Sequence, residues 1–210
     1  FAPLGMNDTT FSFDTALAGN HASPHDLDPD GQAVTGHNDT AWSIVPYRPA
    51  GGAWSSAHDM ARYAALELTK GILPDGRRLV SEANLLERRN HRVSTGENRW
   101  YGMGLFDDQT DGVSVVTHGG SMPGYMTNFY VLPDAGIAAV VLTNSDTGNS
   151  LLAPFMRRLL EVVYDGKPEA EARVASAAKA DQEARAAARK RLDLVPATAD
   201  PWTICAQIAP

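Results

Sequence analysis

Residues Thr117-His118-Gly119-Gly120-Ser121-Met122-Pro123-Gly124-Tyr125 decide how this chain is read. An apolar strand pattern beginning near Val113 runs into a histidine, two glycines and a serine, and a Pro-Gly turn stops it. Backbone stripped of side chains lets main-chain N–H groups approach a reacting carbonyl, and a histidine and a hydroxyl alongside bring side-chain chemistry. Each residue also has a plainer reading. A histidine at a strand end is often only a hydrogen-bonded structural residue. Two glycines in a strand can mark a bulge or a close approach of another backbone.

The flanking sequence turns this stretch into part of a sheet. Downstream, Asn128 to Leu132 and Ile137 to Thr143 are apolar runs joined by Pro133-Asp134-Ala135-Gly136, a tight-turn sequence that predicts an antiparallel hairpin. The strand bearing His118 is expected to pair beside it. Upstream, Trp100 to Phe106 and Val113 to Thr117 read as two strands joined by the polar turn Asp107 to Gly112. Three helices surround them. One is capped by Ser55 or Ser56 and carries Met60, Tyr63, Ala64 and Leu68 at helical spacing before Lys70-Gly71. A second starts at Ser81 with Leu85 and Leu86 inward, and a third spans Leu151 to Tyr164 with Leu151, Phe155, Leu159 and Val162 or Val163 on one face.

Residues 1 to 50 are rich in Gly, Pro, Asn and Asp and predict long loops with short extended pieces, including a hairpin turn at Asp28-Pro29-Asp30-Gly31. From Glu169 to Arg191 the chain is alanine-rich with mixed charges, which suits a solvent-exposed helical linker. The expected organisation is one domain over 1–165, a linker over 166–191, and a tail over 192–210. That tail, with Trp202, Ile204 and Ile208, would be the start of a further domain that is cut short. The opening Phe1-Ala2-Pro3-Leu4-Gly5-Met6 has no initiator Met, charged n-region or apolar h-region, so the chain reads as a fragment and yields no targeting signal.

Composition narrows the chemistry. The 210 residues carry a net charge of −7, which offers no basic stripe for nucleic acid, and contain no apolar run long enough to span a bilayer. The single Cys205 can form no internal disulfide and has no second thiol with which to hold zinc. Asp26-Leu27-Asp28-Pro29-Asp30-Gly31 copies the start of a calcium loop, but His37 stands where a bidentate Glu is required and no helices flank it. His21 and His25 have the spacing of helical metal ligands, yet Pro24 argues against a helix there. No metal and no cofactor are expected. Trp42, Tyr47 and Trp54 could line a substrate cleft or pin long loops as a satellite core.

The order of motifs carries a resemblance. The Phe-x-Pro-Leu-Gly-Met-x-x-Thr opening, Gly51-Gly52-Ala53-Trp54-Ser55-Ser56 entering an Asp59-Met60-Ala61 helix, Tyr101-Gly102-Met103-Gly104, His118-Gly119-Gly120 and Thr143-Asn144-Ser145 together resemble serine β-lactamase-related hydrolases. The group includes the class C β-lactamases, penicillin-binding esterases and D-aminopeptidases. The resemblance covers roughly residues 1 to 165 and implies an α+β fold: the C-terminal part of a β-lactamase/transpeptidase-like domain, with an antiparallel sheet flanked by helices. The family's sheet also includes strands from earlier in the chain, so the sheet here should be incomplete, with an exposed edge.

In that family a Ser in an SxxK motif attacks the substrate carbonyl, the Lys and a YxN Tyr handle protons, and a third motif, KTG or HxG, lies on a sheet strand. His118-Gly119-Gly120 matches the third motif. The resemblance implies that His118 orients substrate or tunes the general base, that Gly119 and Gly120 leave room for substrate along the strand, and that the Ser121 N–H is half of an oxyanion hole. No tyrosine starts a YxN, and the only SxxK, Ser176-Ala177-Ala178-Lys179, sits in the alanine-rich segment, which lacks the dry pocket a nucleophile needs. No nucleophile is therefore expected in this chain, which alone should be inactive.

The implied parent activity is acyl transfer to serine and then to water. Its substrate would be a small ester, amide, D-amino-acid peptide or β-lactam. The site would be completed by the missing N-terminal segment or by another subunit. The resemblance favours a periplasmic or secreted protein, with the cytoplasm left open. Two other readings compete. One is a noncatalytic binding or structural homologue. The other is an α/β-hydrolase with Ser121 as nucleophile, since Gly119-Gly120-Ser121-Met122-Pro123 nearly matches GxSxG; an elbow, however, needs a helix directly after the serine.

Overall fold

A computed structural model describes residues 1–28, 30–90 and 92–193, with the side chains of 39–42 and 192–193 left out of account. Of the tail expected over 192–210, Leu192 and Asp193 belong to the last helix, and the rest, with Trp202 and Cys205, lies outside the described residues, as do Pro29 and the side chain of Trp42.

The core is a six-stranded antiparallel sheet in simple sequential order. Its strands are β3 (Val93–Gly96), β4 (Arg99–Tyr101), β5 (Phe106–Asp108), β6 (Val115–Met122), β7 (Tyr125–Leu132) and β8 (Ile137–Thr143). They follow a small hairpin of β1 (His25–Leu27) and β2 (Ala33–Thr35), whose connection is the expected Asp28–Gly31 turn. Asp28 Oδ1 accepts from the N–H groups of Asp30 and Gln32 at 2.9 and 2.8 Å, so this aspartate shapes a hairpin and no calcium loop.

The predicted β7–β8 hairpin forms, with Leu132 opposite Ile137 across the Pro133–Gly136 turn. Among the described residues β8 pairs only with β7, which leaves its far edge open and the sheet not closed. The single strand expected over Trp100–Phe106 is instead two. Gly102–Leu105 turns back on itself, closed by the Gly102 N–H on Leu105 O at 2.8 Å, and Gly104 takes a left-handed φ of 71°. A Cβ on Gly102 would stand 2.1 Å from Arg88 O, so the turn can sit against its neighbour only as glycine.

Helices cover both faces. α2 (Ala57–Leu68) is capped by Ser56 Oγ and buries Ala64, with Met60, Tyr63 and Leu68 packed beside Leu105, Val116, Phe129 and Val131. α4 (Asn149–Tyr164) covers the opposite face, where Val115, Tyr130 and Leu132 meet Phe155, Met156, Leu159, Leu160 and Val163. Alternation along β6 sends Val116 to one layer and Val115 to the other. Of the face expected for α4, Phe155, Leu159 and Val163 pack as predicted, whereas Leu151 is exposed and Leu152 and Leu160 are buried beside them. α3 (Glu82–Glu87) is capped by Ser81 and buries Leu85 completely.

The first 50 residues hold more helix than their composition suggested: α1 (Phe13–Ala18) and a 3₁₀ segment over Asn38–Ala50. α1 is too short to leave a periodic signal and is specified by its cap, Ser12 Oγ accepting from the Thr15 N–H, whereas the 3₁₀ stretch is broken at Tyr47 and has no side-chain cap.

Two buried carboxylates fasten helices. Glu67, fully buried on α2, accepts from Arg88 and Arg89 at 2.9 and 2.8 Å. Glu161 on α4 accepts from the N–H groups of Glu169 and Ala170 at the start of α5 (Ala170–Asp193), at 2.6 and 2.8 Å. Arg157 extends this second network to Asp111 at 3.0 Å. Beyond that junction α5 is exposed along most of its length, as its composition predicts.

The Glu161 network carries a pH dependence. The Glu169 N–H foremost, then that of Ala170 and the Arg158 and Arg157 guanidiniums, hold the Glu161 carboxyl down at about 2 against the opposing effect of burial. A folded-state value below the unfolded one gives a contribution that is complete above the unfolded pKa, about 4.3, and is lost on acidification. The junction of α4 and α5 should thus hold above about pH 4.3 and loosen toward about 2, as followed by the amide shifts of Glu169 and Ala170. Glu161→Gln should abolish that dependence.

Candidate active site

The site begins where β6 loses one of its partners. β5 pairs with β6 only through Val115, Val116 and Thr117, because the Gly102–Leu105 turn ends the β5 side of the ladder at Phe106. β7 continues to pair along His118, Gly119, Gly120, Ser121 and Met122. The second half of β6 is therefore a strand with one edge paired and one edge open.

Register decides which groups occupy that open edge. Met122 lies opposite Tyr125 across the two-residue Pro123-Gly124 turn, a tight connection closed by main-chain hydrogen bonds between its flanking residues. In an antiparallel ladder hydrogen-bonded pairs alternate with non-hydrogen-bonded ones. His118, Gly120 and Met122 therefore bond to β7, while Gly119 and Ser121 turn their N–H and C=O groups away from it. Three contacts agree with this phase. Thr127 Oγ1 reaches Gly120 O from β7, Thr143 Oγ1 donates to Met126 O from β8 at 2.8 Å, and Gly119 O is met on the other side by the His118 ring.

The strand is close-packed at both glycines, although neither contact shuts out a side chain altogether. A Cβ on Gly120 would stand 2.8 Å from Thr127 Oγ1, and one on Gly119 would stand 3.3 Å from Thr127 O. Gly119, Gly120 and Ser121 are all exposed, so the open edge is reachable.

His118 is half-buried between two rings, with centroids 5.9 Å from Tyr101 and 5.8 Å from Phe106. Its Nε2 lies 3.2 Å from Tyr101 Oη and its Nδ1 lies 2.7 Å from Gly119 O. The tyrosine comes from the Tyr101-Gly102-Met103-Gly104 stretch, so one short sequence both ends the β4–β5 hairpin and supplies a partner to the histidine. Residue spacing carries no sign of that contact, because β4 and β6 are separated by β5.

An aromatic corner braces the β6–β7 turn. Trp54 packs edge-on against Tyr125, Phe13 and His21, at centroid distances of 5.7, 6.3 and 6.3 Å. Tyr125 Oη sits 2.7 Å from Ala22 O and 2.8 Å from Asn38 Oδ1, and burial raises the pKa of its phenol. Of the aromatic residues weighed for a cleft, Trp54 is thus a packing residue, whereas Tyr47 is 66% exposed. Asn144, from the Thr143-Asn144-Ser145 strand end, donates to Ser23 O at 2.9 Å and contacts His25, which ties the 22–25 segment to the sheet. His21 and His25 share no helix; each ring nitrogen contacts main chain, Gly19 O and Asn144 O respectively. Among the described residues no three His, Cys, Asp or Glu side chains cluster as metal ligands. Nor is any helix among them long and apolar enough to cross a membrane.

Two nucleophile readings are decided by geometry. Ser121 lies within a strand that turns through Pro123-Gly124 into another antiparallel strand, so the strand–turn–helix of an elbow is absent here and the α/β-hydrolase reading fails. Ser176 and Lys179 lie exposed on α5, where Lys179 faces Glu183 across 3.9 Å of largely solvated surface.

With this geometry in hand, the chain belongs to the beta-lactamase family: the Beta-lactamase family model matches residues 1–163. Solved structures of similar fold agree. The octameric penicillin-binding protein homologue from Pyrococcus abyssi superposes with a TM-score of 0.64 at 22% identity, over 80% of this chain and 36% of that one. The D-amino acid amidase from Ochrobactrum anthropi SV3, solved with L-phenylalanine amide, gives 0.55 at 22% identity, over 87% of this chain and 49% of that one. In sequence, penicillin-binding protein 4 of Amycolatopsis lactamdurans is 29% identical over 174 residues, or 76% of this chain and 43% of that protein. The chain thus spans less than half the length of these relatives.

The turn that ends β6 offers a direct test. Gly124 has φ of 78°, a Cβ there would stand 2.2 Å from Pro24 Cβ, and its N–H donates to Asp146 Oδ1 at 2.9 Å. Gly124→Ala should lower the unfolding free energy by more than about 1 kcal/mol, read from urea midpoints. Gly136→Ala, at φ of 67° with open space around it, should cost less.

Proposed function

We propose that residues 1–165 form the oxyanion-side portion of a serine hydrolase that transfers an acyl group to serine and then to water. The observation that carries this reading is the open half-edge of β6, where the outward N–H of Ser121 stands next to two glycines. A tetrahedral oxyanion needs such a preorganised donor, and the missing side chains let a substrate lie along the strand. Gly119 and Gly120 make the room, Ser121 contributes its main chain, and His118 forms the wall behind them.

The nucleophile and its base come from outside this sequence, from an upstream segment carrying SxxK and YxN or from another subunit. The unpaired edge of β8 is where a strand from that segment would complete the sheet. The domain would thus close only around the added piece, with 166–191 as a helical linker. This chain alone should turn over nitrocefin and p-nitrophenyl esters at background, and Ser176→Ala should change nothing.

The substrate class follows from what replaces KTG. His-Gly-Gly lacks the lysine charge and threonine hydroxyl that would hold a carboxylate beside the scissile bond. An ester or a D-amino-acid peptide or amide therefore suits the strand better than a β-lactam. The test uses the protein joined to an SxxK-bearing segment. Ser121→Ala keeps the main-chain donor and should leave kcat near wild type. Ser121→Pro removes an N–H that the β7 ladder does not use and should lower kcat by about 10²–10³-fold. Equal activity in the two variants would refute the oxyanion assignment, and an upstream reading frame without SxxK would favour a noncatalytic homologue.

A further inference from the structure

We propose that Tyr101 is a positioning residue: it holds His118 in the neutral Nδ1–H tautomer, and through that tautomer it binds the outward carbonyl of Gly119 on the side that β7 leaves free. The consequence for catalysis rests on the oxyanion reading above, whereas the tautomer is a property of this chain by itself.

The assignment follows from what each partner can do. Gly119 O, 2.7 Å from Nδ1, is a carbonyl and can only accept, so Nδ1 bears the proton. A neutral imidazole has one N–H, which leaves a lone pair on Nε2. Its neighbour at 3.2 Å, Tyr101 Oη, can donate and does so. The Tyr101 hydroxyl comes from a ring stacked on Phe106 at 4.6 Å between centroids, and both rings flank the imidazole, so the donor is held in place by packing. Both ring nitrogens are then committed to the protein. His118 has no free nitrogen with which to move a proton or bind substrate.

This relay adds a second hold to a strand with two exposed glycines, on the side away from β7. Gly119 and Gly120 impose no side-chain restriction on their φ and ψ, and the β5 ladder, which holds the outer side of the first half of β6, stops at Thr117. The imidazole substitutes for the missing strand at one point, the Gly119 carbonyl. The Gly119–Gly120 plane is then held from both sides, by the Gly120 N–H on β7 and by the imidazole on the Gly119 carbonyl, while the Gly120 carbonyl's bond to β7 directs the Ser121 N–H beyond it. An acceptor lone pair is also withdrawn from the edge along which a developing oxyanion would lie.

The tautomer can be read on this chain without substrate. Long-range ¹H–¹⁵N correlation spectra of the imidazole would be recorded about two pH units above the ordinary histidine value of about 6.5. The His118 signals are identified by their loss in His118→Gln. The wild type should show a pyrrole-type Nδ1 and a pyridine-type Nε2. Tyr101→Phe keeps the ring and removes the donor, and should move both nitrogens toward intermediate shifts as the Nε2–H form becomes populated. Amide cross-peaks of β7 and β8 unchanged in the variant would show that the fold persists. A wild-type Nε2–H tautomer would overturn the proposal, even if the variant fails to fold. So would a pure Nδ1–H form that survives in a folded Tyr101→Phe. Failure of the hydrolase reading would leave all of these spectra unchanged, so the two claims fail separately.

Discussion

Everything proposed for this chain depends on β6 being paired on both edges over its first half and on one edge over its second. Through Thr117 the strand is held by β5 and β7, and its side chains feed both cores. From His118 onward, among the described residues, β7 is the one strand that pairs with it. Main-chain donors can face a ligand only where a ladder stops, and a stopped ladder is tolerable only when the rest of the strand is firmly held. The turn at Gly102–Leu105 sets the stopping point, and the Pro123-Gly124 turn sets the phase that decides which N–H groups face outward.

The surroundings of β6 are correspondingly rigid. Val115 and Val116 are almost completely buried on opposite faces, under α4 and α2. Glu67 with its two arginines ties α2 to the residues following α3, against which the Gly102 turn rests through Arg88 O. Asp59, buried at the start of α2, accepts from the Asp8 N–H and the Thr9 hydroxyl at 2.8 Å each, which draws the N-terminal segment onto the same helix. Removing one partner of such a buried ionic group leaves a charge uncompensated, so these contacts act as geometric locks more than as sources of net stability.

Much of this was legible in the sequence where a local rule governs the outcome. The β7–β8 hairpin follows from Pro133-Asp134-Ala135-Gly136 between apolar runs, and α2 and α3 from Ser56 and Ser81 as caps. The His118-Gly119-Gly120-Ser121 stretch drew notice because glycines beside a histidine have a physical meaning. What escaped depends on tertiary contacts. Trp100 to Phe106 looks like one strand, since only the approach of Arg88 O reveals why Gly102 and Gly104 must turn. Leu151 and Leu152 are indistinguishable until the sheet fixes the rotation of α4. The contact between Tyr101 and His118 crosses an intervening strand and leaves no trace in spacing. Short helices such as Phe13–Ala18 fall below the length at which periodicity can be counted.

The central claim is that Gly119 and Ser121 present unpaired main-chain N–H groups on the open edge of β6 while His118 and Gly120 do not. Amide hydrogen exchange resolved by residue along β6 measures this directly. The account predicts an alternating pattern: slow exchange at His118 and Gly120, whose N–H groups bond to β7, and fast exchange at Gly119 and Ser121. Uniform protection from His118 to Met122, or the opposite alternation, would contradict it.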